Sequence, residues 1–152
     1  MDVLNPEQRR YNMSRIRGGD TKPEMIVRQA LHARGYRFRL HRRDLPGRPD
    51  IVLPKWRTAI FVHGCFWHRH DCRYFRMPAT RTLFWQEKLA RNVERDRVAL
   101  TALGRYGWRT LTIWECAIRG KERLTLDALA CALDDFLLGG ATAAGEIRGE
   151  DR

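Results

Sequence analysis

Asp50-Ile51-Val52-Leu53-Pro54-Lys55, followed after two residues by Thr58-Ala59-Ile60-Phe61-Val62, decides the fold of this 152-residue chain. The first run reads as a short strand ended by a Pro-Lys turn, and the second as a more apolar strand. Upstream, Tyr36, Phe38 and Leu40 alternate with Arg37 and Arg39, the period of a half-buried strand, and Leu45-Pro46-Gly47-Arg48-Pro49 reads as a loop. Downstream, Trp108 to Trp114 gives another core strand. Helical patterns surround these strands. Thr21-Lys22-Pro23-Glu24 matches a capping box, with Ile26, Val27, Ala30 and Leu31 at helical spacing and Gly35 as a stop. A long helix is expected from about Arg81 to Arg105, with Phe84, Leu89, Val93, Leu100 and Leu103 as core candidates. Residues 122–138 form an amphipathic helix carrying Leu126, Leu129, Ala130, Leu133, Phe136 and Leu137. This succession reads as one α/β (α+β) domain over residues 21–138, with a basic arm at 1–20 and a flexible, Gly/Ala-rich tail at 139–152.

Composition narrows the function. A hydrophobic content of 43% against 31% charged residues excludes a wholly disordered chain. No apolar run approaches a membrane span and the N-terminus lacks a signal-peptide core, so a cytoplasmic protein with no membrane partner is expected. The 29 Lys+Arg against 18 Asp+Glu give a net charge of +11, which calls for an anionic partner, nucleic acid by default. Residues 9–48 hold 12 Lys/Arg against three acids, an excess of 12 − 3 = +9. A phosphate backbone is drawn to such a field, with binding that weakens as salt rises; the alternative is a solvated basic surface.

Four features carry chemistry. Asp50 stands at the mouth of a strand, its approach fixed by Pro49. A carboxylate on rigid backbone beside basic surface suits Mg²⁺ held against phosphate; the alternative is a turn-capping Asp. Cys65, His70 and Cys72 bring metal-binding side chains within eight residues, and Cys116, just after a strand, is the best fourth ligand, ahead of His68 and Cys131. Cys131 reads as core. Four protein ligands make that zinc structural. His63 and His68 then stay free for acid–base work on a phosphodiester. Finally, Phe66-Trp67, Tyr74-Phe75 and Phe84-Trp85 crowd one region. Phe66 and Trp67 read either as a wedge for a base stack or as cover for the zinc loop.

At these residues the chain resembles the very-short-patch mismatch repair endonucleases, the Vsr-like family. The resemblance rests on Leu45–Asp50, the run Ile60-Phe-Val-His-Gly-Cys-Phe-Trp-His68, Pro78–Thr82, Phe84-Trp85, Asn92–Asp96 and Trp114–Ala117. It implies a restriction-endonuclease-like fold, a mixed sheet flanked by helices, with a structural zinc. It implies an enzyme that nicks double-stranded DNA beside the T of a T:G mismatch left by deaminated 5-methylcytosine, acting as a monomer that other repair proteins follow. By position, Asp50 and the Val62 carbonyl would hold Mg²⁺ and His68 would activate water, with Glu24, His63 and Asp96 in support. Cys65, His70, Cys72 and Cys116 would hold Zn²⁺. Phe66, Trp67 and Trp85 would wedge into the DNA from the major groove, and the arm around Met13 would reach the minor groove. Val62 stands where the family suggests Thr, which suits a carbonyl ligand but no hydroxyl role. Two competing readings are a restriction-type endonuclease cutting matched DNA and a non-enzymatic zinc DNA-binding module. The first does not call for a wedge, and the second has no use for Asp50, Glu24, His63 and His68 together.

Overall fold

The computed structural model describes residues 21–140 and 142–150, so the arm expected at 1–20, with Met13, lies outside the described residues. The elements run α1 (Lys22–Ala33), β1 (Arg39–Leu40), β2 (Ile51–Leu53), β3 (Thr58–His63), α2 (Thr82–Arg105), β4 (Arg109–Trp114), α3 (Glu115–Ile118), α4 (Leu126–Gly139) and β5 (Ala144–Ile147). The five strands lie side by side in chain order. The β1–β2 and β2–β3 pairs are antiparallel, as short connections allow. The β3–β4 and β4–β5 pairs are parallel, because each connection carries helix across the sheet. The architecture is therefore the mixed sheet with flanking helices that the sequence led us to expect.

Strand alternation sorts the core into two layers. Ile51, Leu53, Ile60, Leu111 and Ile113 face one side and pack with Val27 and Leu31 of α1 and Leu129, Leu133 and Leu137 of α4. Ala59 and Phe61 face the other side and pack with Leu103 of α2. The two helices that pack on the first side, α1 and α4, are capped as their sequences dictate. Thr21 Oγ1 accepts from the Glu24 N–H at 3.4 Å, and Thr125 Oγ1 from the Ala128 N–H at 3.0 Å.

Several expectations need correction. The strand over Tyr36–Leu40 shrinks to Arg39–Leu40, because Tyr36 and Phe38 pack into the core cluster outside the ladder. Helix α4 starts at Leu126, capped by Thr125, and not at 122. Phe84 and Val93 of α2 are exposed, since a single face of this 24-residue helix is buried, through Leu89, Ala99 and Leu103. Cys131 is exposed as well. It lies two positions from Leu129 and from Leu133, off the stripe that α4 buries. Over its described residues the tail expected to be flexible carries a strand: β5 pairs with β4, matching Thr110 to Ala144 and Ile113 to Ile147, and backbone hydrogen bonds continue to residue 150. Among the described residues no helix is long and apolar enough to cross a membrane.

The loop before β2 is pressed against α2 at Gly47. Gly47 has φ +75°, and a Cβ there would lie 2.6 Å from Ala99 Cβ and 3.2 Å from the Phe61 ring. Gly35 has φ +80° but open space around it. Gly47→Ala therefore combines left-handed strain with a clash and should cost about 1–3 kcal/mol, more than Gly35→Ala, which carries the strain alone. Urea midpoints of the two variants measure the difference.

Candidate active site

The antiparallel β2–β3 pair brings the start of one strand beside the end of the other. Asp50 thereby reaches Val62, and its Oδ2 accepts the Val62 backbone N–H at 2.7 Å. From below, the first turn of α1 delivers Glu24, whose side chain is almost fully buried. Glu24 Oε2 accepts from Arg28 Nη2 at 3.2 Å and lies 3.1 Å from His41 Nε2. Ligating atoms of Glu24, His41 and Asp50 fall within 4.8 Å of one another. Burial pushes the Asp50 carboxyl up to about 8, Glu24's negative charge pushing in the same direction and the Val62 N–H opposing it. A small hard cation would relieve this crowding of buried oxygens.

Alternation along β3 sends His63 to the α2 side of the sheet, with Ala59 and Phe61. Its ring stacks on His68, with centroids 3.7 Å apart and planes 2° from parallel. His68 Nδ1 is 2.7 Å from Asp96 Oδ2 on α2. That contact fits Nδ1–H donated to the carboxylate, which leaves Nε2 as the basic nitrogen. Burial, and then the neighbouring His68, push His63 down to about 3, so it is neutral at ordinary pH. Asp50, Val62, His63, Trp67, His68 and Asp96 all line one cleft of about 650 Å³. Arg48 and Arg95 line it too, adding positive charge where a phosphate would enter.

Behind this cleft the loop after β3 folds back on itself. Ligating atoms of Cys65, His70, Cys72 and Cys116 lie within 4.8 Å of one another, a group that could hold a metal ion. His70 Nδ1 is 3.6 Å from Cys65 Sγ and 3.7 Å from Cys116 Sγ. Burial holds the Cys65 and Cys116 thiols above their usual range, so a cation is needed to bring thiolates there. Cys131 lies outside the cluster, on exposed surface beside Arg34. Trp114 joins the two centres. It stacks on His70 at 4.0 Å and meets His63 edge-on at 5.5 Å.

Aromatic side chains gather around Trp67, which lines the cleft. Phe66 meets Trp67 at 5.2 Å and Trp85 at 5.5 Å, and Trp67 lies 6.0 Å from Trp85. Trp67 is 42% exposed, whereas Cys65, next but one to it, is fully buried. Asn92 Nδ2 donates to the Trp67 carbonyl at 3.0 Å and fixes this loop to α2. Sequence reasoning assigned no role to His41, Asn92, Arg48, Arg95 or Trp114. Asn92, three and four residues from Arg95 and Asp96, shared their helix face, and Trp114 preceded Cys116 by two, so both lay within reach of a spacing argument. His41 and Arg48 stand in irregular backbone with φ 50° and gave no periodic signal.

The sequence profile of the family described as DNA mismatch endonuclease Vsr matches residues 1–74. The DNA mismatch endonuclease Vsr of Escherichia coli (strain K12) is 46% identical over 149 residues, 97% of this chain and 96% of that protein. The type II nicking enzyme V.XorIIP of Xanthomonas oryzae pv. oryzae is 50% identical over 136 residues, 90% of this chain and 96% of its own. Among solved structures, the homing endonuclease I-Bth0305I catalytic domain superposes with a TM-score of 0.53 over 81% of this chain and 100% of that one. At 20% identity that likeness speaks for the fold alone.

The histidine stack makes a pH prediction. Folded His63 takes up a proton only near pH 3, whereas the unfolded ring does so near 6.5. Between those values the unfolded chain binds more protons. The stabilisation from a neutral His63 is thus complete above about 6.5 and is lost as pH falls toward 3. The His63 ring signals in an NMR titration should stay flat from pH 8 to pH 5; a midpoint near 6.5 would contradict the buried stack.

Proposed function

The chain belongs to the DNA mismatch endonuclease Vsr family, and from that premise we propose that it nicks double-stranded DNA at T:G mismatches with Mg²⁺ at Asp50 and a structural Zn²⁺ at the cysteine cluster. That it is a DNA-cleaving enzyme follows from its relatives. The mismatch reading is carried by one observation: Trp67, an exposed member of the aromatic group, lines the same cleft as Asp50 and His68.

Asp50 and the Val62 carbonyl would hold Mg²⁺, with Glu24 in support; their hard oxygen donors fit it. When bound, Mg²⁺ would stabilise charge on the phosphate and acidify water. His68, oriented by Asp96, takes the proton from the attacking water at Nε2. Neutral His63, stacked flat on it, keeps that ring from turning. The three thiols and one imidazole behind the cleft suit Zn²⁺, and four protein ligands would leave it no open position for water.

Phe66, Trp67 and Trp85 act as the wedge. Parting paired bases costs a few kcal/mol per step, and a mispaired base is already loosened. Stacking on an aromatic ring returns roughly 1–3 kcal/mol per base, so insertion is favoured at a mismatch. The arm around Met13 reaches the opposite groove, and Arg48 and Arg95 draw the backbone into the cleft. The working form is a monomer on duplex DNA in the cytoplasm, and other repair proteins act after the nick.

Nicking and binding of T:G, other mispaired and matched duplexes at one salt concentration test this reading. The wild type should nick the T:G duplex, while Asp50→Ala binds it but leaves it intact. Equal cutting of matched DNA would point to a restriction-type enzyme instead. Trp67→Ala should lose preference for T:G over matched DNA more than it loses overall affinity. Unchanged selectivity in that variant would return Trp67 to covering the cysteine loop.

A further inference from the structure

We infer that Arg148–Glu150 is a clasp that closes the Cys65–His70–Cys72–Cys116 cluster, with Gly149 as a positioning residue of the metal site; this rests on the zinc reading above. Three contacts converge there. The Gly149 backbone N–H donates to Cys116 Sγ at 3.2 Å, a buried bond between positions 33 residues apart. Arg148 Nη2 donates to the carbonyl of Asp71, inside the ligand loop, at 2.7 Å. The Glu150 N–H donates to the Glu122 carbonyl at 2.8 Å. Gly149 is seated without room for a side chain: a Cβ would lie 2.5 Å from the Cys116 carbonyl oxygen and 2.8 Å from that of Glu122. The strand leading in adds a fourth tie, because Glu146 Oε1 accepts from Trp114 Nε1 at 3.4 Å, and Trp114 stacks on His70. An N–H aimed at a buried thiolate sulfur stabilises its charge and fixes its direction, as outer-shell partners of metal ligands do.

Zinc release from the full chain to a chromogenic chelator, and the thiolate-to-metal absorption band of the Co²⁺-substituted chain, test this. Gly149→Ala should weaken zinc retention about 10–100-fold and shift the Co²⁺ band. Arg148→Ala should weaken it in the same direction by a smaller factor, and decides the matter alone if Gly149→Ala does not fold. Leu133→Ala, a cavity in the α4 core cluster that contains none of the four ligands, should lower the melting temperature and leave zinc retention and the Co²⁺ band unchanged. Wild-type retention and an unmoved band in both clasp variants overturn the inference, as does a Leu133→Ala chain that loses zinc equally. A folded wild-type chain that binds no zinc overturns the zinc reading itself, and the clasp with it.

Discussion

One hydrogen bond, from the Val62 N–H to Asp50 Oδ2, ties the cleft to the sheet. It forms because β2 and β3 run antiparallel with Ile51 opposite Ile60, which leaves Asp50 level with the last residues of β3. Everything that follows β3 is launched from that point. Had the register slipped by one residue, every side chain of β3 would change faces, and His63 would leave α2 for the α4 side. The bond thus fixes at once where a carboxylate stands and which way an imidazole points.

From there the site is held by packing as much as by polar contacts. The loop between His63 and α2 has no regular structure of its own, yet it carries most of the chemistry. It is pinned at three places: by the cysteine cluster, by Asn92 on the Trp67 carbonyl, and by the His68–Asp96 pair. A continuous ring contact runs from His70 through Trp114 and His63 to His68. A metal that fixes His70 would therefore fix, through these flat aromatic rings, the wall against which His68 rests. A loop stiffened in this way can hold a large aromatic side chain out in water without collapsing around it.

Much of this was legible in the residues. The capping box at Thr21–Glu24 announced the helix that delivers Glu24, and local spacing drew Cys65, His70 and Cys72 into one loop. Cys116 had to be inferred from its place after a strand, since spacing does not reach 44 residues on. The errors have common physical causes. Cys131 lies among leucines in the sequence but stands four residues from both Asp127 and Asp135, on the polar face of α4, so a reading from its neighbours misplaced it where helical spacing sets it off the buried stripe. Ala144 and Gly145 carry little strand propensity, and β5 exists because the edge of buried β4 offers a ladder. Gly145 is tolerated because the Phe136 ring occupies the space a side chain would need. Hydrogen bonds of the last residues to Cys116 and Glu122 are tertiary, and no local pattern encodes them.

The contact of Gly47 with Ala99 has a consequence for the width of the cleft. Gly47 and Ala99 face each other along the cleft that Asp50 and His68 share, and between them there is no slack. The distance between the loop and α2 is therefore written at two positions together. A larger side chain at 99 lifts the loop and widens the gap, while nothing at 47 can be trimmed to compensate. In this chain, residue 99 is the dial for the bore of the cleft and residue 47 the stop against which it turns.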